Sequence, residues 1–341
     1  MLLRTAPIPR MAGHLSFMRA KCAEIKDLHT DSLAVLGAPL ENNVGSKAGC
    51  RFAPLALRET SVYFGWHANP QFSHPIDIDV RERIDTSSIH SRLFDIGDVD
   101  LIGLDIGKAE EKIFHIMQAI RERGSSVILM GGDDSVVVPA ISGLAEKDKI
   151  GYLQIGGRLP SVLYSAENGA DKSGPPLTRL LTEGIVNISK YVVVAPSHHP
   201  SSEFVEAMSH NGGMILGHSD GKTITKNICE DLANHIAPGV KSILVHLDLS
   251  AIDSPLHGMT NIPSFGGLSL TEMQNLLAAI GRKSVSGLIL TGLNPTINGL
   301  SVVKTGQRLV VTALLGFIYS KFGLSITPRR EDTCKHNREK I

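Results

Sequence analysis

Short runs rich in Val, Ile and Leu recur along nearly the whole chain, with stretches of helical period between them. The candidate strands are 33–37, 93–96, 127–130, 150–155, 191–195, 214–216, 243–247 and 286–290. Several are continuously apolar, the pattern of strands covered on both faces rather than one. Among the intervening stretches, Ala109, Ile113, Ile116, Met117 and Ile120 make one apolar stripe, which stops at Gly124 in the position of a C-terminal cap. Ser269 and Glu272 are spaced as a capping box ahead of Met273, Leu276, Leu277 and Ile280, and Gly281 closes that helix. Ile224, Ile228, Leu232 and Ile236 recur at every fourth position, and 307–322 is apolar on most sides, as a buried helix would be.

Unbroken strand–helix alternation predicts one α/β domain of three α-β-α layers around a mostly parallel sheet of about eight strands. Its bounds are set at 31–327, with 1–30 as an N-terminal extension and 328–341 as a charged tail in solvent. A chain of 341 residues suffices for such a core.

Composition narrows the partners. Formal net charge is zero with 42% hydrophobic and 20% charged residues, which argues against disorder and gives no electrostatic footing for nucleic acid or an anionic membrane. Cys22, Cys50, Cys229 and Cys334 form no C-x-x-C pair, so neither a disulfide framework nor a thiolate zinc site is expected. The apolar segment 309–318 is interrupted by Thr312 and Gly316 and is too short to span a bilayer, and 1–11 is broken by Arg4, Pro7, Pro9 and Arg10. A soluble, cytoplasmic protein is the expectation.

In a parallel sheet, ligands gather at the carboxyl ends of the strands. After the strand 127–130 comes Gly131-Gly132-Asp133-Asp134-Ser135; after 150–155 comes Gly156-Gly157-Arg158-Leu159-Pro160; and 243–247 runs into Asp248-Leu249-Ser250-Ala251-Ile252-Asp253. Upstream lie Ala48-Gly49-Cys50-Arg51-Phe52-Ala53-Pro54 with Leu57-Arg58, and Asp95-Ile96-Gly97-Asp98. All of these but the segment 156–160 resemble, in chain order, segments of the ureohydrolase (arginase and agmatinase) family: G-A-R-F-G-P-x-x-I-R, D-x-G-D, G-G-D-H-S and F-D-I-D-x-x-D-P. Pro263 with Gly266-Gly267-Leu268 continues the last block. Each motif is weak alone. Their order over about residues 33–313 carries the resemblance, which implies the arginase-like fold.

The resemblance also implies a chemistry. Family members hydrolyse guanidinium-type C–N bonds with two divalent metals, usually manganese and sometimes nickel, which lower the pKa of a bound water. Holding two dications takes several anionic oxygens and neutral imidazoles. Carried over position by position, the His of G-G-D-H-S is Asp134 here. The three ligands of D-A-H-x-D fall on Gly156, Arg158 and Pro160, none of which is a plausible ligand. Of the two Asp residues of F-D-I-D, Asp248 is present and the second is Ser250. The family's substrate-side His aligns with Ser173 and its guanidinium-gripping Glu with Gly292. No catalytic, cofactor-binding or metal residue is therefore assigned to this chain.

Removing metals from a carboxylate-lined pocket leaves like charges unopposed. Arg158 is expected to pair with Asp134 or Asp248 and to occupy the vacated space, against the alternative of an ordinary exposed loop arginine. Other features have plainer readings. The side chains of His198 and His199 diverge in extended chain, and Pro200 suits a helix start. Gly131-Gly132 lacks the Lys-Ser/Thr of a phosphate loop. Asp95, Asp98, Asp133 and Asp253 are expected to brace loops, and Cys50 to pack.

Ureohydrolases assemble as trimers and hexamers, by resemblance. A fold kept without its ligands suits a non-catalytic structural or regulatory subunit, partnered by an intact ureohydrolase paralogue that carries the dinuclear nickel or manganese. Two alternatives stay open: a stand-alone hydrolase with a rebuilt mononuclear site at Asp134 and Asp248, and a metal-free guanidine- or amine-binding protein.

Overall fold

The strand 126–131 shows how the sequence builds the layers. Val127 and Leu129 enter one apolar core and Ile128 and Met130 the other, so successive side chains are buried on opposite faces. The same alternation holds in the neighbouring strands and leaves no solvated face. The computed structural model describes residues 15–42, 47–64, 76–77, 82–83, 86–146, 149–160, 175–196, 200–217, 224–253, 259–262, 267–297 and 300–324.

The strands are β1 (Lys21–Cys22), β2 (Leu33–Ala38), β3 (Ile76–Asp77), β4 (Glu82–Arg83), β5 (Leu93–Asp98), β6 (Ser126–Gly131), β7 (Ile150–Ile155), β8 (Tyr191–Val194), β9 (Met214–Leu216), β10 (Ser242–Asp248) and β11 (Val285–Thr291). Nine of them form one sheet in the order β1-β5-β2-β6-β11-β10-β7-β8-β9, every pairing parallel. β3 and β4 pair separately and antiparallel. The helices are α1 (Ala53–Ser61), α2 (Ser87–Arg92), α3 (Ile106–Glu122), α4 (Val137–Leu144), α5 (Pro176–Thr182), α6 (Ser202–His210), α7 (Lys226–Ile236), α8 (Leu270–Gly281) and α9 (Leu300–Lys321). Buried residues of α1, α7, α8 and α9 share one core, and those of α3, α4, α5 and α6 the other. The result is the expected three-layer α-β-α fold.

All eight expected strands are present, and a ninth joins them at the sheet's edge. β1 has two exposed residues and no apolar alternation, so nothing in the sequence marks it. It lies in the stretch set aside as an extension. Yet Phe17 and Met18, just before it, are fully buried, and the Phe17 N–H donates to Asp95 Oδ2 at 2.6 Å. Residues 15–30 are thus built into the domain; 1–14 and the tail 328–341 lie outside the described residues. No helix among the described residues is long and apolar enough to cross a membrane.

Strand order positions the site. β6, β11, β10 and β7 are neighbours in space, although β7 follows β6 directly in the chain among the strands of this sheet. Their carboxyl ends are flush: Leu290 is level with Met130, Thr291 with Asp248, and Ile155 with Leu247. The chain segments that follow these four strands therefore emerge side by side.

Candidate functional site

Asp134, Arg158, Asp248, Ser250 and Gly292 come together on one small cavity of about 40 Å³, with Cys50 and Asp133 on its wall. The Arg158 side chain is 34% exposed and turns inward, its Nη2 donating to Asp134 Oδ2 at 3.3 Å. Asp248 Oδ1 accepts the Ser250 N–H at 2.8 Å. The Ser250 hydroxyl in turn accepts the Gly157 N–H at 3.0 Å, which ties the loop after β7 to the loop after β10.

Burial raises the Asp134 carboxyl above the usual carboxylate range, Arg158 opposes the shift, and neighbouring Asp133 adds to it. For Asp248, burial pushes the carboxyl up to about 6 against the hydrogen bonds from Ser250, with Asp134 raising it further and Arg158 holding it down. Cys50 is pushed up to about 12 by burial and by the nearby carboxylates Glu41, Asp133 and Asp248. At neutral pH it stays a protonated thiol.

The backbone after β7 is unusual. Gly156 and Gly157 both have positive φ, +75° and +74°. A Cβ on Gly156 would lie 2.6 Å from the Ala251 Cβ and 2.7 Å from the Asp248 carbonyl. Neither strain nor space admits a side chain there. Gly292, at φ +82°, faces the same limit: a Cβ would be 2.9 Å from Asp248 Oδ1. Pro160 is buried in the loop but is not among the cavity's lining residues. Ser173, His198, His199, Pro263 and Gly266 lie outside the described residues.

Around Asp134 and Asp248 stand the Asp133 carboxylate, the Cys50 thiol, a guanidinium, a serine hydroxyl engaged with a backbone N–H, and Gly292. Among the described residues, no three of His, Cys, Asp and Glu converge as a metal-holding group. None of the described residues lining the cavity is a histidine, whereas holding two dications commonly draws on imidazoles beside anionic oxygens.

Three of the four carboxylates expected to brace loops, Asp95, Asp98 and Asp133, accept hydrogen bonds that do so. Asp133 Oδ1 accepts the Ser135 N–H at 3.0 Å and Oδ2 the Asn42 N–H at 2.8 Å. Arg58 donates through Nε and Nη2 to both oxygens of Asp95 at 2.8 and 2.9 Å and through Nη1 to Asp98. That fork joins α1 to the end of β5. Two of the motif segments, those of Arg58 and of Asp95-Ile96-Gly97-Asp98, are here scaffold rather than chemistry.

Sequence reasoning missed the polar layer beneath the cavity. Gln154 Nε2 donates to the carbonyls of Gly156 and Arg158 at 3.0 and 3.3 Å, and its Oε1 accepts the Tyr191 hydroxyl at 3.0 Å. His246 Nε2 lies 2.8 Å from the Thr291 hydroxyl, and burial pulls its pKa down to about 3, so the ring is neutral. The signal was available: Gln154 and His246 are polar residues set inside otherwise apolar strands.

The arginase family model matches residues 31–316. The formimidoylglutamase of Bacillus subtilis is 23% identical over 299 residues, covering 85% of this chain and 88% of that protein. The guanidinopropionase of Pseudomonas aeruginosa is 20% identical over 294 residues, with 86% and 88% covered. Among solved structures, the proclavaminate amidino hydrolase of Streptomyces clavuligerus superposes with a TM-score of 0.69 at 19% identity over 92% of this chain and 99% of its own. The Trypanosoma cruzi formiminoglutamase with manganese gives 0.70 at 19% identity over 91% and 98%. At that identity the structural likeness speaks for the fold, and the family match speaks for descent. This chain belongs to the arginase family.

Proposed function

We propose that this chain is a non-catalytic, structural or regulatory subunit of a hetero-oligomeric, metal-dependent ureohydrolase that cleaves a guanidine or biguanide C–N bond. An intact arginase-family paralogue in a trimer- or hexamer-type assembly carries the dinuclear nickel or manganese. The observation that carries this reading is the Arg158 guanidinium seated on Asp134, where the family's metals would need negative charge. A cation held there opposes the binding of a dication and offsets a carboxylate that would otherwise be unopposed. The cavity leaves room for about one water molecule, well below the volume of a ligand pocket.

The sequence pattern resembles the metal-free chain of the two-chain enzyme metformin hydrolase, and that resemblance is the basis for naming biguanides. The test is to purify the chain alone and after co-expression with an arginase-family paralogue from a neighbouring reading frame. Metal content by mass spectrometry and C–N hydrolysis are then measured on each. Stoichiometric metal and turnover are expected only for the co-purified complex, and only on the paralogue. A bridged metal pair in the isolated chain overturns the proposal. Turnover with a single bound ion favours the mononuclear hydrolase, and a saturable thermal shift with a guanidine, without a partner, favours the binding protein.

A further inference from the structure

The opposite edge of the sheet carries a second and larger cavity, about 340 Å³, at the amino ends of β6, β10 and β11. Ser242 lines it, and Asp248 stands at the other end of the same strand, about 20 Å away at the usual rise per residue. It is therefore separate from the family site, and the inference does not depend on whether this chain is catalytic.

Its charges are unevenly matched. Arg92, Arg121, Lys241 and Lys321 line it, against the carboxylates of Asp31 and Glu146. Lys241 is engaged with Glu146. The other three cations are held by uncharged groups. Arg121 Nη1 donates to the Ala145 carbonyl at 2.7 Å, and Lys321 Nζ to the Val285 carbonyl at 2.6 Å. The Arg92 guanidinium lies over the Phe322 ring, 4.5 Å from its centroid. Among the described residues none of these three makes an ion pair with a carboxylate; carboxylates act on two of them only at longer range, Asp31 on Lys321 and Glu146 on Arg121. Cations drawn out of water without an anionic partner are costly. Burial lowers the Lys321 ammonium below its ordinary range for that reason.

Two guanidinium forks and an ammonium around one space match a tetrahedral dianion better than a carboxylate, because arginine binds phosphate through paired N–H donors. The volume exceeds that of a bare phosphate, and Leu144, Val285 and Phe322 give the remainder an apolar wall suited to a small organic body. We propose that this cavity is a binding site for a phosphate group, carried by a small phosphomonoester and gripped by Arg92, Arg121 and Lys321.

The full chain is titrated by calorimetry, at constant ionic strength, with inorganic phosphate and separately with glycerol 3-phosphate. Saturable binding of both, tighter for the ester, is expected; equal affinity assigns the site to free phosphate and still supports an oxyanion site. Arg92→Gln and Lys321→Gln should each weaken binding about tenfold or more, while Asp134→Asn at the far edge leaves it unchanged. Circular dichroism melts establish that each variant is folded. Lys321→Arg, which keeps the charge, should retain binding and serves if a neutral variant does not fold. Absence of saturable binding of either probe at millimolar concentration overturns the proposal, as does undiminished binding by folded Arg92→Gln and Lys321→Gln.

Discussion

Asp134, just past β6, and Arg158, just past β7, meet across the two strands that separate them in the sheet, carboxylate to guanidinium at 3.3 Å. The contact spans the ends of β10 and β11, which insert between strands that follow one another in the chain. It links two segments that in a metal-binding relative would each contribute ligands.

Replacing Arg158 with Met is therefore expected to destabilise the fold at pH 7 by only about 1 kcal/mol, since the side chain is a third exposed and water screens the pair. Without the arginine, the Asp134 carboxyl rises further and takes up a proton more readily in the folded state. The deficit should then narrow as pH falls towards 5, in urea denaturation at both values. A gap that widens in acid would count against the pairing.

Asp248 and His246, two positions apart on β10, oppose each other with pH. The folded Asp248 titrates at about 6, above its unfolded value, so the stability tied to it is present in acid and lost as pH rises through 6. The folded His246 stays neutral down to about 3, so acidification below its unfolded value near 6.5 costs stability. Asp248→Asn should gain about 2 kcal/mol at pH 7 and should fall more steeply than wild type between pH 7 and 5. Urea midpoints across that range decide it; parallel curves for the two proteins would reject the assignment.

Arg58 is a stronger case, being buried with Asp95 and bonded to both its oxygens. Arg58→Lys keeps the charge but loses the fork and strands part of a buried carboxylate, at a cost of about 3 kcal/mol. Thermal unfolding should show it as a loss of several degrees, with no change in metal content.

Restoring the first lost ligand should fail structurally. Gly156→Asp meets both a left-handed backbone and the Ala251 Cβ, and a penalty of about 3 kcal/mol is expected. Denaturation of the variant tests this. If it folds as tightly as wild type, the loop can re-route and the steric account is wrong.

What the sequence disclosed follows from where its signals are periodic. Strands such as β6 and β10 were legible because apolar side chains on both faces leave a continuous run. The capping box at Ser269 and Glu272 is present, but Glu272 is also buried and accepts the Ile224 N–H at 2.6 Å, joining the segment just ahead of α7 to α8. That second role has no sequence pattern. At the site, Asp134, Arg158, Asp248, Ser250 and Gly292 line one cavity while Gly156 and Pro160 do not, and the handedness of Gly156 and Gly157 depends on tertiary crowding. The lower cavity was invisible because Arg92, Arg121, Lys241 and Lys321 share no motif and meet only through the sheet's strand order.

The Phe17 amide has a practical consequence for where this protein can be cut. Asp95 receives that amide and the Arg58 fork at once, so the leading segment and the first helix both hang on one carboxylate of β5, the strand next to the sheet's edge. Trimming the chain to begin at residue 31, where the family match starts, would delete β1 from beside β5, uncover the hydrophobic floor beneath Phe17 and Met18, and leave a sticky sheet margin open to neighbouring molecules.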